Sequence, residues 1–268
     1  FYKIIRIIYN YMEIAFSPCP NDTFIFNDLV SDKDINAHLY DVETLNRMAF
    51  EEEFDLTKLS FYAWLLVKDK YHLLNVGAAL GRGCGPLLIV RSEDKLEQIK
   101  RVALPGEFTT AHLLYMLCYG NDVEKIFMPF DQIMDALAAK DVDAGVIIHE
   151  SRFIFQERGF NCKQDLGIWW EGKTNLPIPL GCIAVRRNLG KEVIHEIEQR
   201  LKLSILKGQE NPQNTMEYVK SNAQELDFEV INEHIKTYVN NYTTNLGVEG
   251  NLAVKKLEDL AISAGIIK

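Results

Sequence analysis

The chain has 268 residues, 47% hydrophobic and 25% charged, enough for one large core or two modest ones of ordinary globular composition. A formal net charge of -9 excludes the basic stripe that a nucleic-acid partner requires, and an anionic ligand would have to be held by local groups. Five cysteines, odd in number and without a C-x-x-C pair, make a poor disulfide framework and point to a reducing, cytoplasmic compartment.

Residues 1–11 are apolar, but Lys3 and Arg6 interrupt the run and no small-residue cleavage site follows. The run also falls short of the roughly 20 residues that a membrane helix needs, so no membrane partner is expected. Met12 opens the first well-patterned strand, and residues 1–11 read as an extraneous leader. The chain then alternates: strand 13–16, a helix capped by Asp22 through residue 30, strand 37–42, helix 44–52, strand 55–59 and the apolar helix 61–67. Extended stretches 73–78 and 87–90 flank the turn Gly81-Arg82-Gly83-Cys84-Gly85-Pro86. No helix of the required spacing follows that turn, so it is not a dinucleotide fingerprint.

The rhythm restarts near Arg101, with strand 102–104, helix 109–119, strand 125–128, a helix from Asp131 to residue 140, and strand 144–148 with a helix after it. Residues 181–185 read as a strand, and helices follow at 191–207, 211–222, 228–238 and 248–264. Alternating strands and helices predict an α/β fold of parallel sheets covered by helices. The restart predicts a second sheet, and a helical tail without its own core predicts a return to the first. The expected architecture is therefore two-lobed: residues 12–91 and 184–268 form a larger, discontinuous lobe and 92–183 a smaller one, with a cleft between them.

In such folds, sites gather at the carboxyl ends of strands. His149, in Ile147-Ile148-His149-Glu150-Ser151-Arg152, occupies such a junction. A lone histidine there is more often structural, but at a helix start the dipole disfavours imidazolium, leaving a neutral ring able to accept a proton. Arg152 would then oppose the cation or meet a substrate carboxylate, and Glu150 would orient the ring or remain a solvated acid. Thr109, Thr110 and Ala111 open a helix whose free N–H groups suit a carboxylate or phosphate, although Thr109 can simply cap its own helix. Lys58, Leu59 and Ser60 form a similar junction in the first lobe. In Ser17-Pro18-Cys19-Pro20-Asn21-Asp22-Thr23-Phe24, Asn21 offers hydrogen bonds to a polar ligand, and Cys19 is a less favoured nucleophile. Trp169-Trp170 belongs to the core or walls an aromatic ligand. The six histidines show no metal-ligand spacing, so neither a metal nor a cofactor is expected.

Together these segments resemble the 1,4-dihydroxy-6-naphthoate synthase family. The resemblance is carried by the Ser17–Phe24 segment just quoted, Asp41-Val42-Glu43-Thr44-Leu45-Asn46, Thr57-Lys58-Leu59-Ser60, Gly81-Arg82-Gly83, Ile147-Ile148-His149-Glu150-Ser151-Arg152-Phe153 and Trp169-Trp170-Glu171. It implies the two-lobed, type II periplasmic-binding-protein-like fold. It also implies a lyase of the futalosine route to menaquinone, which converts cyclic dehypoxanthine futalosine, a small anionic substrate, to 1,4-dihydroxy-6-naphthoate with release of dihydroxyacetone. By position it makes His149 the proton acceptor and has Lys58, Leu59, Ser60, Thr110 and Ala111 line the substrate. Two alternatives stand beside it: a non-catalytic solute-binding protein on the same fold, and a chorismate dehydratase of the same pathway. The helical C-terminal third offers surface for a homodimer.

Overall fold

A computed structural model describes residues 11–92, 99–223 and 227–268. Residues 1–10 of the expected leader lie outside them. Strands β1 (Met12–Phe16), β2 (Ile35–Leu39) and β3 (Leu56–Ser60) are parallel and are joined through helices α1 (Pro20–Phe26) and α2 (Val42–Phe50). Helix α3 (Phe61–Val67) leads to β4 (Tyr71–Leu73) and β5 (Ala79–Gly81). The first sheet runs β2-β1-β3-β11-β4, with β5 also paired to β11 (Ile178–Arg186), which is antiparallel to its neighbours. The second sheet runs β10-β6-β9-β7-β8, built from β6 (Leu87–Arg91), β7 (Arg101–Leu104), β8 (Glu124–Phe127), β9 (Ala144–Ile147) and β10 (Phe160–Asp165). Strands β7, β8 and β9 are parallel and β6 runs against them; edge strand β10, antiparallel to β6, points the same way as the other three. Helices α4 (Thr110–Tyr119), α5 (Ile133–Ala138), α6 (Ser151–Ile154) and α7 (Leu166–Thr174) belong to this half.

The helical tail returns to the first sheet, in the order α8 (Lys191–Glu210), α9 (Pro212–Asn222), α10 (Phe228–Tyr238), α11 (Asn241–Thr244) and α12 (Gly247–Ser263). Helix α8 buries Ile197, Leu201 and Ile205 against Ile14, Phe16, Leu56 and Ile183 of the first sheet. Helices α9 and α10 pack Val219 and Ile231 onto Phe24 of α1. The second sheet has its own cluster, in which Ile133, Met134 and Leu137 of α5 cover Leu87, Ile89, Ala103 and Ile147. A third cluster joins the halves and takes in Leu59, Leu88, Val102, Leu113, Trp170, Cys182 and Leu257. Each methylene buried in such clusters contributes roughly 0.8 kcal/mol, so apolar burial dominates the fold. Among the described residues, no helix is long and apolar enough to cross a membrane.

The chain crosses between the sheets twice. It enters the second sheet with β6 at Leu87, after the turn ending in Gly85-Pro86, and re-enters the first with β11 at Ile178. Pro179 sits in β11 beside a register shift opposite β5, where a strand tolerates proline. The first crossing packs tightly on the start of α7: a side chain on Gly85 would meet the Gly167 backbone N at 2.2 Å, and one on Gly167 would meet the Gly85 N at 2.7 Å. Only glycine at both positions permits this approach.

Two elements were not legible as such. Strand β10 is a largely exposed polar edge strand, and α7 carries two glycines, so neither shows an apolar run or strong helix propensity. The helix expected to be capped by Asp22 begins instead at Pro20, with Cys19 at the cap and proline in the first turn, where its missing N–H costs nothing. Asp131 likewise caps no helix; it lies within a short 3-10 turn, Phe130–Gln132.

Candidate active site

A cleft with about 670 Å³ of empty space, its open mouth included, lies between the sheets. The first half supplies Ser17, Asn21, Asp22, Lys58, Leu59 and Ser60, and the second supplies Thr109, Thr110, Ala111, Ile148 and His149. Tyr238 of α10 also lines it. The walls therefore come from the carboxyl ends of β1, β3, β7 and β9, where parallel strands hand over to helices.

His149 follows β9 with φ of 54°, a left-handed conformation that is uncommon for any residue but glycine. Such strain costs of order 1–3 kcal/mol and clusters at functional sites. The half-buried ring meets Phe130 edge-on at 5.0 Å and lies parallel to His234 at 5.8 Å, with its Nε2 3.9 Å from Cys19 Sγ. Burial lowers its pKa to about 4; the Lys58 cation pushes the same way and the Asp22 carboxylate opposes. The ring is thus neutral, as expected, but for a different reason. Helix α6 has only four residues and begins at Ser151, so burial rather than a helix dipole excludes the charge.

Opposite His149, Lys58 Nζ and Asp22 Oδ1 form an ion pair, their side chains 6% and 2% exposed. Asp22 also accepts from Ser17 Oγ at 2.6 Å and from Asn21 Nδ2 at 2.7 Å. The alternation of β3 puts Lys58 and Ser60 on one face and Leu59 on the other, where its side chain joins the core. Ser60 does not cap α3 through its side chain; its hydroxyl accepts from Asn46 Nδ2 at 3.1 Å and its N–H donates to Asn46 Oδ1 at 2.9 Å.

Thr109 does cap α4, accepting from the His112 N–H at 3.3 Å. Thr110 Oγ1 donates to the Leu180 carbonyl at 2.7 Å and accepts from the Tyr62 N–H at 3.2 Å, which pins the start of α4 to the first half. Among the described residues, no protein acceptor meets the N–H groups of Thr110 and Ala111. Both residues line the cavity.

Three expected contributors are engaged otherwise. Arg152 donates to the carbonyls of Gly83 (2.7 Å) and Gly85 and to Asp165 Oδ2 (3.0 Å), bracing the first crossing against the end of β10. The indole of Trp170 is fully buried with Nε1–H on the Pro177 carbonyl, and Lys173 lies over Trp169; neither ring lines the cavity. Cys19 is buried, and its thiol is pushed well above its ordinary pKa by burial and then by Glu150 and Asp22, which excludes a resting thiolate. Conversely, His234 and Tyr238 were not singled out. They are spaced like core positions of an amphipathic helix, and only the packing of α10 on α1 brings them to the cavity.

A family model described as "Menaquinone biosynthesis" matches residues 12–262. A "1,4-dihydroxy-6-naphtoate synthase" of Thermus thermophilus is 42% identical over 260 residues, covering 95% of each chain. The chain belongs to this menaquinone-biosynthesis family. A solved structure, that of protein AF1704 from Archaeoglobus fulgidus, superposes with a TM-score of 0.91 at 38% identity, over 96% of this chain and 99% of that one. The alkanesulfonate-binding protein SsuA of Xanthomonas axonopodis superposes with a TM-score of 0.71 at 14% identity, over 97% of this chain and 94% of that one. At that identity the likeness speaks for the fold alone, and it is the two-lobed periplasmic-binding-protein-like fold.

Proposed function

We propose that the protein is a carbon–carbon lyase that converts cyclic dehypoxanthine futalosine to 1,4-dihydroxy-6-naphthoate and dihydroxyacetone in menaquinone biosynthesis. The observation that carries this reading is a neutral imidazole, held in a strained conformation, facing a buried cation and a free helix start across one cavity. His149 accepts a proton from the saturated ring of the substrate. A carbon–carbon bond then breaks in retro-aldol fashion, and the ring becomes aromatic. Aromatisation supplies much of the driving force, leaving the protein to start the proton transfer and hold the developing enolate.

The N–H groups of Thr110 and Ala111 suit the substrate carboxylate. The start of α3 is less suited, since the Ser60 and Tyr62 N–H groups already have partners. Lys58 offers its remaining N–H donors to an enolate oxygen, its charge anchored by Asp22. A positioned base contributes about 10²–10⁴-fold in rate, and preorganised donors add a comparable factor. The division into lobes puts the base on one side and Lys58 on the other, so closure of the cleft assembles the site and excludes water. The substrate's small size and negative charge, and action as an assembly with a second copy, remain parts of this proposal.

Incubation with the cyclic futalosine derivative tests the reading. The expected result is a naphthoate chromophore with one dihydroxyacetone released per turnover and no reaction with chorismate. Saturable binding without turnover would leave only a solute-binding protein.

A further inference from the structure

His234 is the second histidine of the cavity region, and the chemistry above makes no use of it. It is fully buried on α10, which packs on α1 of the first lobe, whereas His149 projects from the second. The two rings lie nearly parallel, 8° apart with centroids at 5.8 Å. His234 is itself held firmly. Asn21 Nδ2 donates to Asp22, so Asn21 Oδ1 faces His234 as the acceptor, and His234 Nε2–H donates to it at 2.9 Å. The other ring nitrogen, Nδ1, lies 3.6 Å from Glu150 Oε2 of the second lobe. Tyr238, one turn on, closes the far side with its ring centroid at 4.8 Å. Burial, with His149 and Lys58 adding to it, holds the His234 pKa well below the ordinary value, so this wall is uncharged.

We infer that His234 is a positioning residue that orients the His149 base and couples that orientation to closure of the cleft. Its ring comes from one lobe and its stacking partner from the other, so the contact exists only when the lobes are together. Phe130 meets the His149 ring edge-on from its own lobe, and His234 stacks on it from the other. The chain Lys58–Asp22–Asn21–His234 then ties the cation that faces the substrate to the base that attacks it. Besides His234, the groups that face the His149 ring are Cys19 and Asp22 from the first junction, Lys58 from β3 and Phe130.

This inference rests on His149 being the base, and the test separates the two. His149→Ala, His234→Gln and His234→Phe are compared with the wild type in steady-state turnover and melting temperature. In parallel, the His149 ring is followed by NMR in ligand-free, histidine-labelled protein between pH 7.5 and 5. Glutamine keeps a donor for Asn21 and loses the ring; phenylalanine keeps a ring and loses the donor. The inference expects kcat of His234→Gln to fall by at least tenfold with KM within threefold, and a smaller fall in His234→Phe. It also expects the His149 titration to move up toward that of an ordinary histidine in His234→Gln, as water reaches the exposed face. Normal turnover in His149→Ala would remove the base assignment itself. With that variant inactive, a His234→Gln enzyme with kcat within twofold of the wild type and an unshifted His149 titration would overturn the inference. Equal kcat losses in both His234 variants that simply track their melting temperatures would overturn it too.

Discussion

Replacing Lys58 with methionine tests the polar floor of the cavity. The change removes a cation whose side chain is 6% exposed and leaves the Asp22 carboxylate, 2% exposed, facing two neutral donors, Ser17 and Asn21. Breaking a buried pair from one side costs about 3–5 kcal/mol, because the remaining charge is desolvated and unpaired. The two surviving hydrogen bonds place this case at the lower end, about 3 kcal/mol. With an m-value of about 3 kcal/mol/M in urea, appropriate to the upper end of single domains, the unfolding midpoint should fall by roughly 1 M at pH 7. Adding Asp22→Asn removes the stranded charge while retaining an acceptor for Ser17, so the double variant should regain most of that loss while remaining inactive. A Lys58→Met midpoint equal to that of the wild type, or a double variant no more stable than the single one, would refute the reasoning.

Other outcomes follow from individual contacts. His149 is lowered to about 4 and His72, His112 and His234 are lowered as well, chiefly by burial. The unfolded chain therefore binds more protons below about pH 6.5, and stability holds above that value and falls as pH drops toward 4, by about 3 kcal/mol for His149 alone. Urea midpoints at pH 7.5 and 5 measure this, and equal midpoints would contradict it. Arg152→Met should lower the melting temperature by unfastening Gly83 and Gly85 while leaving KM near normal; a large rise in KM with unchanged stability would return Arg152 to the ligand. Cys19→Ala should keep kcat within about threefold, since a thiol held protonated by burial is no nucleophile. Gly106→Ala would push a methyl to 2.5 Å from the Glu43 carboxylate, which accepts the Phe108 N–H at 3.0 Å across the cleft mouth. Its KM should rise, and an unchanged KM would show that this contact does not help to hold the cleft closed.

Much of the fold was legible because alternation and helical spacing report burial directly. Strand β3 and helix α3 read cleanly, since Lys58, Leu59 and Ser60 alternate and 61–67 is an unbroken apolar helix. The lobe crossings did not read cleanly: β6 is as apolar as a strand of either sheet, and pairing rather than composition decides where it belongs. Edge strand β10 failed for the opposite reason, its exposed polar residues carrying no period. In the site, residues at strand–helix junctions were found because such junctions have a signature of their own. His234 was not, because a histidine at a core position of an amphipathic helix looks like any other until α10 is seen against α1. Arg152 misled by proximity in sequence: it is one turn from His149, but carbonyls of the crossing segment and Asp165 compete successfully for its guanidinium.

The central claim is that an uncharged His149 removes the proton that starts the reaction. Single-turnover measurement on His149→Ala, with substrate affinity determined separately, tests it most directly. The account predicts a chemical step slowed by at least about 10²-fold with binding and fold retained. Turnover within a few-fold of the wild type would contradict it.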